Sequence, residues 1–329
     1  MMRILIVIPH YFGPSQPEYA SLGSYTDRLS RIAAFTETIV ALHRHFGSNW
    51  RTVEGRRVEG ALNNGHHYDV RIVVLTLPNA NILNELKLAP GTIEVRCVEC
   101  EPAWIPMQVP KVLAANLGAF DFYCYLEDDL AIHDPLFFSK LLWFQKTFGL
   151  TSLLAPVRFE MSSSETLAKV IVDPELPDRY LPPFRRPGQA QAIVGTWEGI
   201  RQEFQLPKNP HAASFFLTQE QMAHWVKHPT FDDQDASWVG PIESAATLSI
   251  GKVFGIYKPS NPDPFFLELQ HFGCRYARRS APNDENYGDV PLLTIAQDGE
   301  RALLDERKKH EQLRSKFENQ SRTIKGSAS

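Results

Sequence analysis

Long hydrophobic runs are missing from this 329-residue chain. No segment approaches the ~18 consecutive apolar residues of a membrane span, and the opening run, Met1 to Ile8, is too short for a signal-peptide core. That run reads instead as a first strand, and the protein is expected to be cytoplasmic, at most peripheral to a membrane. Cysteine is scarce: Cys97, Cys100, Cys124 and Cys274 are the whole set. Cys97 and Cys100 have CxxC spacing, but no second pair or zinc-spaced histidines accompany them, so neither a disulfide framework nor a zinc ribbon is implied. An excess of positive charge is also lacking. With 34 basic against 38 acidic residues the net charge is −4, and nothing draws a nucleic acid polymer.

Several motifs are absent as well. There is no GxxxxGK[ST] loop and no GxGxxG opening the first helix, so P-loop and dinucleotide readings have no anion cradle. No GxSxG elbow occurs. The acids at 127–129 lack the following Thr of an aspartyl phosphatase, and the first loop has no Gly-x-Gly-x-x-x-Arg of a nucleotidyltransferase.

What is present alternates. Arg3 to Pro9 is a β-branched run closed by proline, expected as a buried strand. Ser24 to Arg44 follows with helical character, capped at Ser24 and apolar at Leu29, Ile32, Ala33, Ile39 and Leu42. Asn49 to His67 is a polar, turn-rich excursion. Strands are expected at Val70 to Leu77 and Thr92 to Val98, with a short helix between them over Asn79 to Leu88. A helix at Pro110 to Phe120 leads into the next strand. Further on come a helix at Pro135 to Phe148, a strand at Leu153 to Phe159 and a Pro- and Arg-rich surface loop at Asp173 to Pro187. Extended segments at Ala190 to Gly199 and His211 to Leu217 precede a helix at Gln219 to Lys227. A helix at Ile242 to Ile250 and a strand at Lys252 to Tyr257 follow. Glu300 to Phe317 reads as a charged helix before a polar tail. Strand–helix alternation over the first 130 residues argues for an α/β fold, a Rossmann-like, mainly parallel sheet with helices on both faces.

The chain is organised around Phe120-Asp121-Phe122-Tyr123-Cys124-Tyr125-Leu126-Glu127-Asp128-Asp129. An aromatic strand ends on three carboxylates. Three adjacent acids repel one another and need a cation, a donor cluster or open water. In an open α/β sheet the carboxyl end of a strand is where ligands bind. A hard divalent cation that also touches phosphates takes only one or two carboxylates from the protein. A metal–phosphate site and a solvated acidic turn are the two readings of the triplet on its own.

In its order of features the chain resembles the GT-A superfamily of glycosyltransferases over roughly residues 3 to 275. A first strand ends at Pro9, a helix leads into the fourth strand, and Glu127-Asp128-Asp129 stands where that superfamily places its DxD. His211 to Thr218 resembles an acceptor-side strand, Gly240-Pro241-Ile242-Glu243-Ser244 stands at the acidic base motif, and His271 lies where a late histidine completes the metal site. The resemblance implies a nucleotide-sugar-binding half at 1–130, a mixed acceptor-side half of the same domain at 131–299, and a C-terminal helix and tail at 300–329. It implies Mn2+ or Mg2+ held by Glu127, Asp129 and His271. A nucleotide-diphosphate sugar would be met by Pro9, His10, Tyr11, Asp128, Arg185 and Arg186, and a glycan or other hydroxyl compound would accept the sugar. Glu243 would be the general base of an inverting transfer, with Asp233 and Asp235 as rivals. Trp197, Trp225 and Trp238 are candidates to stack on a sugar.

Two positions depart from the superfamily pattern: Glu127 replaces an aspartate, and Ser244 replaces the acid after Glu243. They keep a non-catalytic nucleotide-sugar or glycan-binding module open as the alternative function. A metal-assisted phosphoester hydrolase fits the residue order less well.

Overall fold

Strand β1 (Met2–Pro9) is buried on both faces from Ile4 onward, as an unbroken β-branched run in a parallel sheet should be. The computed structural model describes residues 1–13, 28–47, 51–54, 57–61, 68–161, 169–260 and 263–272. After β1 come α1 (Arg28–Phe46), β2 (Arg51–Glu54), β3 (Arg57–Ala61), β4 (Tyr68–Thr76), β5 (Glu94–Cys97), α2 (Val109–Ala114), β6 (Phe122–Leu126) and β7 (Leu130–Ala131). Next are α3 (Phe137–Phe148), β8 (Ser152–Leu154), β9 (Val157–Met161), β10 (Lys169–Ile171), β11 (Ala192–Trp197), β12 (Ile200–Gln205), β13 (Ser214–Thr218) and α4 (Gln219–Val226). A helix over 241–251, α5, then leads to β14 (Gly255–Pro259) and β15 (Glu268–His271).

The main sheet has the order β13-β6-β1-β4-β5. β6, β1, β4 and β5 run parallel, and β13 lies antiparallel along β6. From β1 the winding proceeds through β4 to β5 on one side, and then returns to β6 on the other. The carboxyl ends of β1 and β6 therefore flank the switch point of the sheet, the crevice where open α/β sheets take their ligands.

Alternation along β1 and β6 builds two cores. Ile4, Ile6, Ile8, Phe122, Cys124 and Leu126 pack with Phe35, Ile39 and Leu42 of α1 and Phe137, Phe138 and Leu141 of α3. Leu5, Val7, Tyr123 and Tyr125 face the other way, against Leu113 of α2, Met222 and Trp225 of α4 and Ala245 to Ile250 of α5. Helices thus cover both faces, and the α/β class expected from the strand–helix alternation holds. Each fully buried Ile, Leu or Phe contributes about 1.5–3 kcal/mol, enough to anchor β6 up to the point where its acids begin.

Two smaller sheets, β10-β9-β15-β7 and β11-β12-β14-β8, complete the second half. The chain changes sheet at Pro156. Ala155 donates its amide to Tyr257, Val157 donates to Leu267, and the proline between them has no N–H to place. The single strand expected at Leu153 to Phe159 is for this reason two strands. Residues 1–161 and 169–276 belong to one compact unit, in which β6 and β13, from either side of residue 130, share a sheet.

Other expectations change in detail. The polar stretch at 49–67 contains the antiparallel pair β2 and β3, because two short runs, Arg51–Glu54 and Arg57–Ala61, bond to each other. Asn79 to Leu88 holds only a 3-10 turn at Leu83–Glu85, and α2 ends at Ala114 rather than running to Phe120. Asp173 and Phe184, placed on a surface loop, are buried. Within α5 the segment Ser244–Leu248 is a π-turn, a feature frequent at functional sites. The expected cap at Ser24, Cys274, the 300–317 helix and the tail lie outside the described residues. Among the described residues no helix is long and apolar enough to cross a membrane.

Candidate functional site

The pleat of β6 divides its terminal acids. Even-numbered residues face α1, so Asp128 continues toward that helix, whereas Glu127 continues on the face of Tyr125 and α5. Asp128 meets two donors. His10, the first residue past β1, lies 2.5 Å from Asp128 Oδ2 through Nδ1. The Ile82 amide donates to His10 Nε2 at 3.3 Å, so the proton sits on Nδ1 and is donated to the carboxylate. Arg31, at the start of the inward stripe of α1, reaches Asp128 Oδ1 at 2.5 Å with Nη2 and Asp129 Oδ2 at 3.1 Å with Nη1. Thr38, two turns along the same stripe, donates to the Asp128 carbonyl at 3.2 Å.

Burial alone would raise the Asp128 carboxyl. Arg31 and His10 outweigh burial and bring it down to about 2. The same acids hold the Arg31 guanidinium charged against its own burial. The cation that the triplet demanded is therefore supplied, for Asp128, by the chain itself. Replacing Arg31 with methionine would keep the stem and strand Asp128 in the interior. Urea denaturation should show a loss of about 3 kcal/mol, as for other broken buried pairs.

Glu127 and Asp129 are not fully satisfied. Glu127 Oε1 and Asp129 Oδ1 are shut off from solvent and have no hydrogen-bond partner. The Glu127 carboxyl is pushed well above its ordinary range, first by withdrawal from water and then by Asp129, with Arg158 opposing and Glu243 and Asp128 adding. On the second side, His271 Nε2 stands 3.8 Å from Asp129 Oδ2, while its Nδ1 is 2.8 Å from the fully buried Glu160. The register of β15 between β7 and β9 makes this contact: His271 pairs with Leu130, and Gln270 with Phe159. The Phe272 amide closes the corner on the Asp129 carbonyl at 2.9 Å.

Behind these groups is a second buried polar cluster. Asp173 binds Arg158 at 2.8 Å and Lys258 at 2.6 Å, and Lys258 also donates to the His211 carbonyl. His211 Nδ1 meets Thr247 Oγ1 at 2.8 Å. Burial, then the Arg158 charge, holds this imidazole neutral. Burial would raise the Asp173 carboxyl, but Lys258 and Arg158 bring it from its ordinary 3.8 to about 2. Since the folded value is the lower one, the unfolded chain takes up the proton first on acidification. The stabilisation is complete above pH 4 and is lost as pH falls through about 2, roughly 2 kcal/mol in all. Denaturation midpoints measured between pH 5 and 2 should lose this acid dependence in Asp173→Asn.

Glu243 begins α5 half-buried, with its carboxylate folded toward Gly240, where a Cβ would come within 3.1 Å of Oε2. Its charge acts on Tyr125 and Glu127, on the face of β6 that packs against α5. Ser244 has a structural task. It is fully buried, donates to the Trp238 carbonyl at 2.7 Å and accepts from the Trp238 amide at 3.1 Å.

The remaining candidates are engaged elsewhere. Asp233 and Asp235 both hold Lys252 at 2.6 Å, and Asp235, drawn to about 2 by this partner, is a poor proton acceptor near neutrality. Arg185 donates to the Pro207 carbonyl and Arg186 to that of Gly251, at the carboxyl end of α5 where a cation is favoured. Pro9 is the last paired residue of β1, and the Tyr11 ring is buried over Gly13, where an added Cβ would collide with it. Trp225 and Trp238 are core residues, and Trp197 packs on Trp143.

Sequence reasoning did not find Arg31, Arg158, Glu160, Asp173 or Lys258. The signal for the pair on β9 was present: Arg158 and Glu160 share one face of a strand whose neighbours are Val157 and Phe159, and both are buried. No protein-family model matches this chain, and no curated protein is similar to it in sequence.

Proposed function

We propose that this chain is a metal-dependent glycosyltransferase of the GT-A type, moving a sugar from a nucleotide-diphosphate donor to a hydroxyl acceptor with inversion. The observation that carries the reading is the pair of buried, partnerless oxygens, Glu127 Oε1 and Asp129 Oδ1, at the switch point of the sheet. Around them the carboxylates of Glu127, Asp128, Asp129, Glu160, Asp173 and Glu243 outnumber the permanent cations Arg31, Arg158 and Lys258 among the described residues. Such a site favours a bound cation.

Among the described residues no group of three or more His, Cys, Asp or Glu side chains is set to hold a metal alone. A cation shared with phosphates needs only one or two carboxylates from the protein, and the two free oxygens fit that role. His271 Nε2 stands 3.8 Å from Asp129 Oδ2, with Nδ1 bonded to Glu160. Mn2+ or Mg2+ bound there would neutralise the diphosphate as the glycosidic C–O bond breaks.

The protein's own groups do the rest. Arg31 and His10 lock Asp128 and leave Asp129 held by one oxygen only, so the other keeps a fixed direction. Glu243, on the helix that covers this face of β6, takes the proton of the attacking acceptor hydroxyl. The strained Ala213, with φ of 51°, accepts the Glu127 amide and ties the acceptor-side strand to the acids.

A nucleotide-release assay over a panel of UDP-, GDP- and CMP-sugars, with and without manganese, tests the reading. Metal-dependent release is the expected result. Folded protein that neither hydrolyses nor binds any of these would rule it out, and binding by calorimetry without turnover would leave a binding module.

A further inference from the structure

Two tyrosines sit on the same face of β6 and are treated in opposite ways. Tyr123 is fully satisfied: its hydroxyl lies 2.9 Å from the Asn116 carbonyl and 2.8 Å from Gln219 Oε1, and accepts the Phe120 amide at 3.1 Å. Tyr125, one pleat nearer the acids, is fully buried, and its hydroxyl has no partner. Its ring is pinned by stacking on Phe215 of β13, centroids 5.4 Å apart and planes 23° apart, so the hydroxyl has a set position. Phenylalanine would fill the same space without stranding a donor, and a stranded buried donor is costly.

The surroundings define what would satisfy it. Tyr125 shares its face with Glu127, about 6.6 Å further along the strand, and the Glu243 charge reaches both. A ligand atom there must accept from a phenol on the face that also carries the Glu127 carboxyl. A phosphate oxygen accepts but is repelled by the acids. An ammonium pairs with acids but cannot accept. A neutral hydroxyl does both, accepting from Tyr125 and donating to a carboxylate.

We infer that Tyr125 donates to one hydroxyl of the transferred sugar and makes the enzyme specific for sugars that carry it. This rests on the glycosyltransferase reading, in which the sugar lies between the diphosphate at Asp129 and the acceptor at Glu243. A site built to hydrogen-bond a substrate hydroxyl discriminates strongly against the analogue that lacks it.

The test compares wild type with Tyr125→Phe on the accepted donor and on its monodeoxy analogues. For the parent donor, kcat/KM should fall about 100-fold in the variant. One deoxy donor should lose a similar factor with wild type and nothing further with Tyr125→Phe, the non-additive signature of a shared contact. The ligand-free variant should melt at or above the wild-type temperature, because the lost hydroxyl bonded nothing. A lower melting temperature would show that the hydroxyl has a partner in the free protein and overturn the inference. Unchanged kcat/KM, or losses that multiply for every analogue, would overturn it while leaving the glycosyltransferase reading intact. Absence of turnover by folded wild type would instead remove that reading, and this inference with it.

Discussion

Asp129→Asn is expected to lower kcat/KM for the sugar-nucleotide donor by about 1,000-fold and to abolish manganese-dependent nucleotide binding. The substitution keeps the size of the side chain and removes the charge that a cation on the diphosphate would need. Its Oδ2 bonds to Arg31 at 3.1 Å and faces His271 at 3.8 Å, so the amide still has a donor from Arg31 to accept. Asp128 keeps both of its partners, His10 and Arg31. The fold should therefore survive, and circular dichroism with thermal melting provides the control. Calorimetry with a nucleoside diphosphate and Mn2+ separates loss of the metal site from loss of chemistry: heat of binding should vanish in the variant. Full binding and turnover in Asp129→Asn would place the diphosphate elsewhere.

Glu243→Gln should show the opposite separation. Donor binding and its metal dependence stay near wild type, while kcat falls by a factor of about 100 to 10,000, the usual contribution of a positioned general base. Glu243 is half-buried at the first turn of α5, and no hydrogen bond of the described residues depends on its carboxylate. Glutamine fits the same position. The rival bases are distinguished by the same measurement. Asp233 and Asp235 share Lys252, and replacing either with asparagine should leave kcat within a few-fold of wild type. A kcat drop confined to Asp235→Asn, with Glu243→Gln active, would move the base to the loop.

These outcomes depend on residues of very different legibility. Glu127 and Asp129 were readable because a strand has a period of two and this one is apolar up to Leu126. Glu243 came from the resemblance, as the acid of Gly240-Pro241-Ile242-Glu243-Ser244 at the base motif. Arg31 was not readable. It lies 97 residues before Asp128, and the inward stripe of α1 that carries it runs through Phe35, Thr38 and Leu42. The apolar face drawn from sequence began instead at Leu29, which is 52% exposed, because a half-buried arginine breaks the hydrophobic pattern from which a face is read. The Glu160–His271 and Asp173–Lys258 contacts were hidden for another reason. The first joins β9 to β15 in a small sheet whose order, β10-β9-β15-β7, follows no sequential rule, and the second joins the loop after β10 to β14 of the other small sheet.

By itself the sequence determined the first strands of the main sheet, the end of β6 in three acids and the alternation that sends Asp128 and Glu127 to opposite faces, since these depend only on local period and polarity. Tertiary structure decided which charges meet. Strand order and helix rotation place Arg31 and His10 on Asp128, leave one oxygen each of Glu127 and Asp129 without a partner, and set Tyr125 unbonded beside them. Those contacts span up to 118 residues, and no local pattern of propensity or spacing encodes a pairing made across a sheet.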